Sequence, residues 1–317
     1  MRIPTFEGVD NAAKSVAAIL APTPLIDVEI GGTTVFAKVE SLQPIGAFKI
    51  RGAWWRLSSL SADERRHGVV AYSSGNHAQG VAWAAARLGM NATIVMPADA
   101  PEAKLARTRA LGADVVLYDR QTEDRDAIAN AIAAETGAVI VPPFADPWVI
   151  EGQGSAGIEA TSQLAARGLG PPDVVVTCCG GGGLSAGLAL ACPDAALTIV
   201  EPEGWDDVTR SLALGRIVPV ADDAPPTACD ALMTKQASPI TFDILKAHGA
   251  TGVAVSPDEV VAAQRFAFER LRLVLEPGGA VALAALIAGK VKPGKRTVLT
   301  LSGGNVDAAA FARVIAP

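Results

Sequence analysis

Cysteine is scarce in this chain, with four in 317 residues. Cys178 and Cys179 are neighbours and would face opposite sides of a strand, so they cannot easily pair. Cys192 and Cys229 complete a set that has neither zinc-ligand spacing nor the pattern of a secreted disulfide scaffold. They read as reduced, buried residues of a cytoplasmic protein. There is no excess of basic residues either: 27 Lys and Arg stand against 33 Asp and Glu, for a net charge of −6. That balance argues against a nucleic-acid surface, and Pro293-Gly294 breaks up the short basic stretch from Lys292 to Arg296. No apolar run reaches membrane-spanning length, and Met1 to Glu7 lacks the apolar core of a signal peptide. Repeats and low-complexity tails are missing too.

Half the residues are hydrophobic and 19% are charged, which suits a compact chain long enough for two cores. Short β-branched runs alternate with Ala-rich stretches. The pattern predicts strands at Val69–Tyr72, Ala92–Met96, Asp114–Leu117 and Ala138–Val141. Helices are expected at Ala78–Leu88, Ala103–Leu111 and Thr122–Thr136. Pro142 to Pro147 reads as a crossover. A second unit begins at Asp173, with strands at Val174–Cys178, Leu197–Glu201 and Arg296–Leu301. Its helices are expected at Leu184–Ala191, Pro257–Leu273 and Gly279–Ala288. The alternation predicts α/β architecture, with parallel sheets covered by helices.

Four segments carry chemistry. Ser41-Leu42-Gln43-Pro44-Ile45-Gly46-Ala47-Phe48-Lys49-Ile50-Arg51-Gly52-Ala53 surrounds one lysine with apolar neighbours, which favour an unprotonated amine. Taken alone, Lys49 reads first as a surface lysine, and Phe48 also reads as a core aromatic. Gly180-Gly181-Gly182-Gly183-Leu184 joins a strand to a helix. Its glycines allow close backbone approach, and the helix start favours an anion such as phosphate. By itself it is also compatible with a plain loop or a nucleotide site, although the spacing is not the dinucleotide fingerprint. Ser73-Ser74-Gly75-Asn76-His77 opens another helix and offers backbone N–H groups to a carboxylate. Ser302-Gly303-Gly304-Asn305 follows the last strand.

In this order, from about Thr23 to the C-terminus, the four segments resemble the fold-type II pyridoxal phosphate (PLP) enzymes of the threonine/serine dehydratase and serine racemase family. The resemblance implies two open twisted parallel-sheet domains of the tryptophan synthase β type: a large PLP-binding domain of residues 1–54 and 145–317, and a small substrate-loop domain of residues 55–144. It implies that Lys49 carries the cofactor aldehyde, Phe48 packs on the ring, and Gly180 to Leu184 cradle the phosphate. Asn76 would meet the ring hydroxyl and Ser302 the pyridine nitrogen. Ser73 to His77 would bind the substrate carboxylate, with His77 held by a structural hydrogen bond. Arg125 aligns with a carboxylate-binding arginine of racemase relatives, or is an exposed helix arginine. Ser74 is either a helix N-cap or a proton-exchanging group on the cofactor face opposite Lys49, since racemisation needs a group on each face.

The resemblance also implies a divalent cation (Mg, Mn or Ca) on Glu201, Asp207 and the Trp205 carbonyl, a set of hard oxygen ligands. The same residues are also compatible with a solvated acidic loop. Two departures stand out: Glu276-Pro277-Gly278-Gly279-Ala280 has Gly where relatives carry Ser or Thr, and Cys229-Asp230-Ala231 replaces the commoner Ala-Asp-Gly. With Pro317 as the last residue, no regulatory domain of the biosynthetic threonine-deaminase type is expected. The expected activity is that of an ammonia-lyase (dehydratase) on serine, threonine or 3-hydroxyaspartate; the alternative is a serine racemase on the same scaffold. A homodimer is expected from the family.

Overall fold

A computed structural model of the chain describes residues 2–73, 75–100 and 102–316. Helix α1 (Phe6–Ala17) opens it, with the Thr5 hydroxyl accepting from Gly8 N. A hairpin of β1 (Leu25–Ile30) and β2 (Thr33–Val39) follows, paired antiparallel. Gly31 and Gly32 form its turn at φ 57° and 79°, the left-handed backbone that a two-residue hairpin loop requires. Sequence alternation did not reveal either strand.

Helices α2 (Lys49–Ser58) and α3 (Ala62–His67) lead into the smaller sheet. It is built from β3 (Val69–Tyr72), α4 (Asn76–Leu88), β4 (Ala92–Pro97), α5 (Glu102–Ala110), β5 (Asp114–Tyr118), α6 (Arg125–Thr136) and β6 (Val139–Ile140). Its four strands run in the order β5-β4-β3-β6, and every pairing is parallel. The third helix starts at Arg125 rather than Thr122, because the Asp124 carboxylate caps it by accepting from Asp126 N and Ala127 N; a cap marks the first turn.

Helix α7 (Pro147–Ala165) then carries the chain back. The larger sheet takes in β7 (Val174–Cys178), α8 (Gly183–Ala191), β8 (Ala196–Pro202), α9 (Asp207–Leu214), α10 (Pro239–His248) and β9 (Thr251–Val255). It closes with α11 (Pro257–Phe266), α12 (Pro277–Ile287), β10 (Thr297–Leu301) and α13 (Ala308–Ile315). The strand order is β1-β2-β10-β7-β8-β9, parallel throughout except for the β1–β2 hairpin. The helix expected from Pro257 to Leu273 is shorter. It passes into a π-helical turn at Ala267–Leu271 and stops where Arg272 takes φ 61°.

The core follows from this layering. Strands β7 and β10 are buried on both faces and are mostly apolar, with the hydroxyls of Thr177 and Thr300 paired to each other at 2.9 Å. Helix α12 is buried from Gly278 to Leu286 and packs on β7, β8, β9 and β10. Each Leu or Val enclosed there contributes about 1.5–3 kcal/mol. The C-terminal ends of β3, β7 and β10 deliver Ser73, Cys178 and Ser302 to one cavity, the end of a parallel sheet where ligands bind in α/β folds.

Candidate active site

Lys49 is the first residue of α2, and its segment is stitched to the last strand. Phe48 N donates to the Ser302 carbonyl at 3.0 Å, and Ala47 bridges Gly303. Two residues on, Arg51 is wholly buried. Its guanidinium donates to Glu40 at 2.7 and 2.8 Å and to Glu159 at 2.9 and 3.1 Å. Burial opposes the Arg51 charge, and the two carboxylates more than offset it, so its pKa is raised. The lysine therefore stands on an anchored first turn. Its Nζ donates to the Pro143 carbonyl at 2.7 Å, and burial pulls the amine from its ordinary 10.5 down to about 8. The apolar neighbourhood read from the sequence accounts for that direction.

Helix α8 begins beside the lysine without a side-chain cap, after Gly182 at φ 85°. Gly181 lies against the Phe144 ring, and Gly183 against the Phe144 Cβ and backbone. A Cβ added to Gly181 would sit 2.4 Å from the ring, and one added to Gly183 would sit 3.0 Å from Phe144 Cβ. There is no room for a side chain at Gly181 and little at Gly183, and Gly180 to Gly183 present backbone alone to the cavity. Uncapped N–H groups at a helix start hold an anion. Helix α4 is likewise uncapped behind Gly75, and Ser73 Oγ accepts from Gly75 N at 3.2 Å. Ser74 lies outside the described residues.

Asn76, the first residue of α4, donates from Nδ2 to Glu276 Oε1 at 2.6 Å. Burial lifts the Glu276 carboxyl from 4.5 to about 7. His77 Nε2 bonds the Val141 carbonyl at 2.8 Å; burial and the nearby Lys49 hold the ring neutral by lowering its pKa to about 3. Ser302 Oγ lies 3.3 Å from Cys178 Sγ. Arg125 is half exposed, 5.3 Å over the Tyr72 ring and 3.6 Å from Asp126.

Phe48, Lys49, Ser73, Gly75, Asn76, His77, Arg125, the Gly180–Leu184 loop and Ser302 all line a single cavity of about 790 Å³. Its wall also holds Tyr72, Lys104, Asp230 and Glu276. Sequence reading assigned no role to these four, although Asp230 and Glu276 lie in the two segments noted there as departures from the family pattern. The expected cation loop lies elsewhere, between β8 and α9. Glu201 is buried there and accepts from Val208 N, Thr209 N and Thr209 Oγ1 at 3.1, 2.7 and 2.6 Å. Asp207 is buried, and its Oδ2 has no partner among the described residues. Trp205 donates its indole N–H to the Pro225 carbonyl. Among the described residues no group of three or more His, Cys, Asp or Glu side chains is gathered as for a metal.

The donor set fits PLP. It offers an amine of lowered pKa, two uncapped helix starts for a phosphate and a carboxylate, and an amide and a hydroxyl for the ring. Comparison with known proteins points the same way. Residues 16–303 match the family described as pyridoxal-phosphate dependent enzyme. The chain is 41% identical to an L-threo-3-hydroxyaspartate ammonia-lyase of Pseudomonas sp. over 99% of both chains. It is 38% identical to serine racemase of Schizosaccharomyces pombe, covering 99% of this chain and 98% of that one. The structure of maize serine racemase superposes with a TM-score of 0.91 at 30% identity, covering 98% of this chain and 97% of that one. A lysine of lowered pKa between two anion-binding helix starts, matched across nearly the full chain, places this protein in the fold-type II family of PLP-dependent enzymes, with the threonine/serine dehydratases and serine racemases.

Proposed function

We propose that the protein is an ammonia-lyase that removes the β-hydroxyl of a small hydroxy amino acid and releases a 2-oxo acid and ammonia. The observation that carries this is the convergence of Lys49, Asn76, the Gly180–Gly183 loop and Ser302 on one cavity. PLP, when bound, supplies an aldehyde that captures the amino group and a ring that accepts electron density as the α-proton leaves. The rest is done by the chain. The start of α8 holds the phosphate and the start of α4 holds the substrate carboxylate. Lys49 Nζ, with a pKa of about 8, exchanges the α-proton near neutral pH. His77 stays neutral and keeps the α4 turn in place. Ser302 Oγ meets the ring nitrogen.

Serine, threonine and 3-hydroxyaspartate all fit this chemistry. Arg125, on the cavity wall with its side chain half exposed, is the cation we assign to a second carboxylate, which favours 3-hydroxyaspartate. The test is ammonia release from a panel of L- and D-hydroxy amino acids, with borohydride trapping of the cofactor. Absence of an adduct at Lys49 or of ammonia from every substrate overturns the reading. Racemisation is the second reading, favoured by the serine at position 74 and by the likeness to serine racemases; chiral analysis of recovered substrate decides it.

We also propose a divalent cation (Mg, Mn or Ca) on Glu201, Asp207 and the Trp205 carbonyl. The unpartnered Asp207 Oδ2 supports it, because a buried carboxylate oxygen left without a donor invites a cation. An EDTA treatment that leaves the melting temperature unchanged removes this assignment. The two-domain division at residues 54/55 and 144/145 is read with the site, since the cavity takes residues from both sheets. A homodimer is supported by exposed Leu42 and Val274, 56% and 43% exposed, and sedimentation measures it. Four free, buried cysteines support a reducing, cytoplasmic setting.

A further inference from the structure

Asn76 is held from both ends by residues of the larger unit. Asn305 Nδ2 donates to Asn76 Oδ1 at 2.8 Å and to the Ile45 carbonyl at 2.7 Å. The opposite end of the Asn305 amide, Oδ1, accepts from Arg107 Nη1 at 3.3 Å. A carbonyl only accepts and a guanidinium only donates, so the Asn305 amide has one permitted orientation. That orientation fixes Asn76: its oxygen faces Asn305 and its nitrogen faces Glu276 Oε1 at 2.6 Å. A flipped Asn76 would set nitrogen against the Asn305 NH2, two donors with no acceptor between them. One Asn76 N–H has no partner among the described residues, and Asn76 lines the cavity.

We propose that Glu276 and Asn305 are positioning residues that lock the Asn76 amide as a hydrogen-bond donor, so that the ring oxygen of PLP is bound without its proton. The inference rests on the cofactor reading above and adds a protonation state to it. Gly303 belongs to the arrangement, since a Cβ there would come within 2.0 Å of Glu276 Oε1 and 3.3 Å of Asn76 Nδ2. The Glu276 backbone N also donates to the Gly303 carbonyl at 3.1 Å. Glu276, Gly303 and Asn305 thus come from two loops of the larger unit and converge on the first residue of a helix in the smaller one.

Two measurements test this. In the wild-type holoenzyme, the ring C–O stretch, followed by resonance Raman, is expected to report an unprotonated oxygen throughout about pH 6 to 9. A protonated oxygen anywhere in that range overturns the proposal and needs no variant. In the second measurement the apoenzyme is titrated with PLP, read by tryptophan fluorescence. Asn305→Asp, which turns an acceptor toward Asn76 Oδ1, is expected to weaken PLP binding about tenfold, and Glu276→Leu by a similar factor. Glu276→Gln keeps an acceptor for the Asn76 N–H and is expected to stay within about twofold. The melting temperature of each apo variant separates lost positioning from lost fold. If Asn305→Asp and Glu276→Leu bind PLP as the wild type does, the positioning role is wrong although the cofactor reading survives. If the wild type binds no PLP, or trapping labels a residue other than Lys49, the cofactor reading itself fails.

Discussion

Phe48 and Ser302, 254 positions apart by their numbering, are joined backbone to backbone by a 3.0 Å hydrogen bond from Phe48 N to the Ser302 carbonyl. The residue before the lysine and the serine after the last strand therefore move as one. Any displacement of β10 is passed to the turn that carries Lys49, so Lys49 and Ser302 are kept in register with each other.

Lys49→Met should abolish borohydride-trappable cofactor while leaving the fold intact. It should also change the pH response of the cofactor-free protein. The folded amine has a pKa of about 8, below its ordinary 10.5. Its contribution to stability is complete above about 10.5 and is lost as pH falls through about 8. The variant is expected to melt higher than the apo wild type at neutral pH, with the gap closing toward pH 10.5; thermal scans across that range check it.

Glu276→Gln should show the opposite pH trend. Burial raises this carboxyl from 4.5 to about 7, so its contribution is complete below about 4.5 and is lost as pH rises through about 7. The loss is on the order of 3 kcal/mol. The glutamine variant escapes it, so its melting temperature relative to the apo wild type should rise between those two pH values. A difference that stays flat with pH would count against a neutral buried acid.

Glu159→Gln removes one carboxylate from the buried Arg51 and Lys38 cluster. Leaving buried cations short of a partner costs about 3–5 kcal/mol. Urea unfolding should show the loss, and the apparent affinity for PLP should fall with it although Glu159 does not line the cavity.

Gly181→Ala drives a methyl group into the Phe144 ring, 2.4 Å away. PLP binding is expected to weaken by about tenfold or more as the loop shifts. Adding Phe144→Leu should recover part of it. Equilibrium dialysis of the single and double variants decides whether steric contact is the cause.

Arg125→Ala should raise KM for 3-hydroxyaspartate by about tenfold, the scale of a partly exposed charge pair on a substrate. KM for serine should change little. An equal rise for both substrates would place the arginine at the α-carboxylate or outside the site.

The lysine and glycine segments were legible because each uses a local rule: an amine among apolar neighbours, or glycines ahead of a helix. The strand ends that present them were legible from β-branched runs. Helix α7 was not. Gly152, Gly154 and Gly157 lower its helix propensity, yet they let α7 approach its neighbours closely. A Cβ on Gly152 would lie 2.6 Å from Gly52 Cα, and one on Gly154 would lie 2.5 Å from the Gly187 carbonyl. Tight helix packing, invisible in a single segment, outweighs helix propensity there. Glu276 escaped assignment for a related reason. Its neighbour Asn76 is 200 residues away, and a carboxylate before a Pro-Gly-Gly turn carries no mark of that distance.

The buried ion cluster beneath Lys49 has a practical consequence. A mutational screen scored only by the yellow colour of the purified protein should return Glu40, Arg51 and Glu159 among its hits. None of the three lines the cavity, so colour loss by itself would mislabel a foundation as a binding surface. Sorting such hits takes a second assay that reports folding.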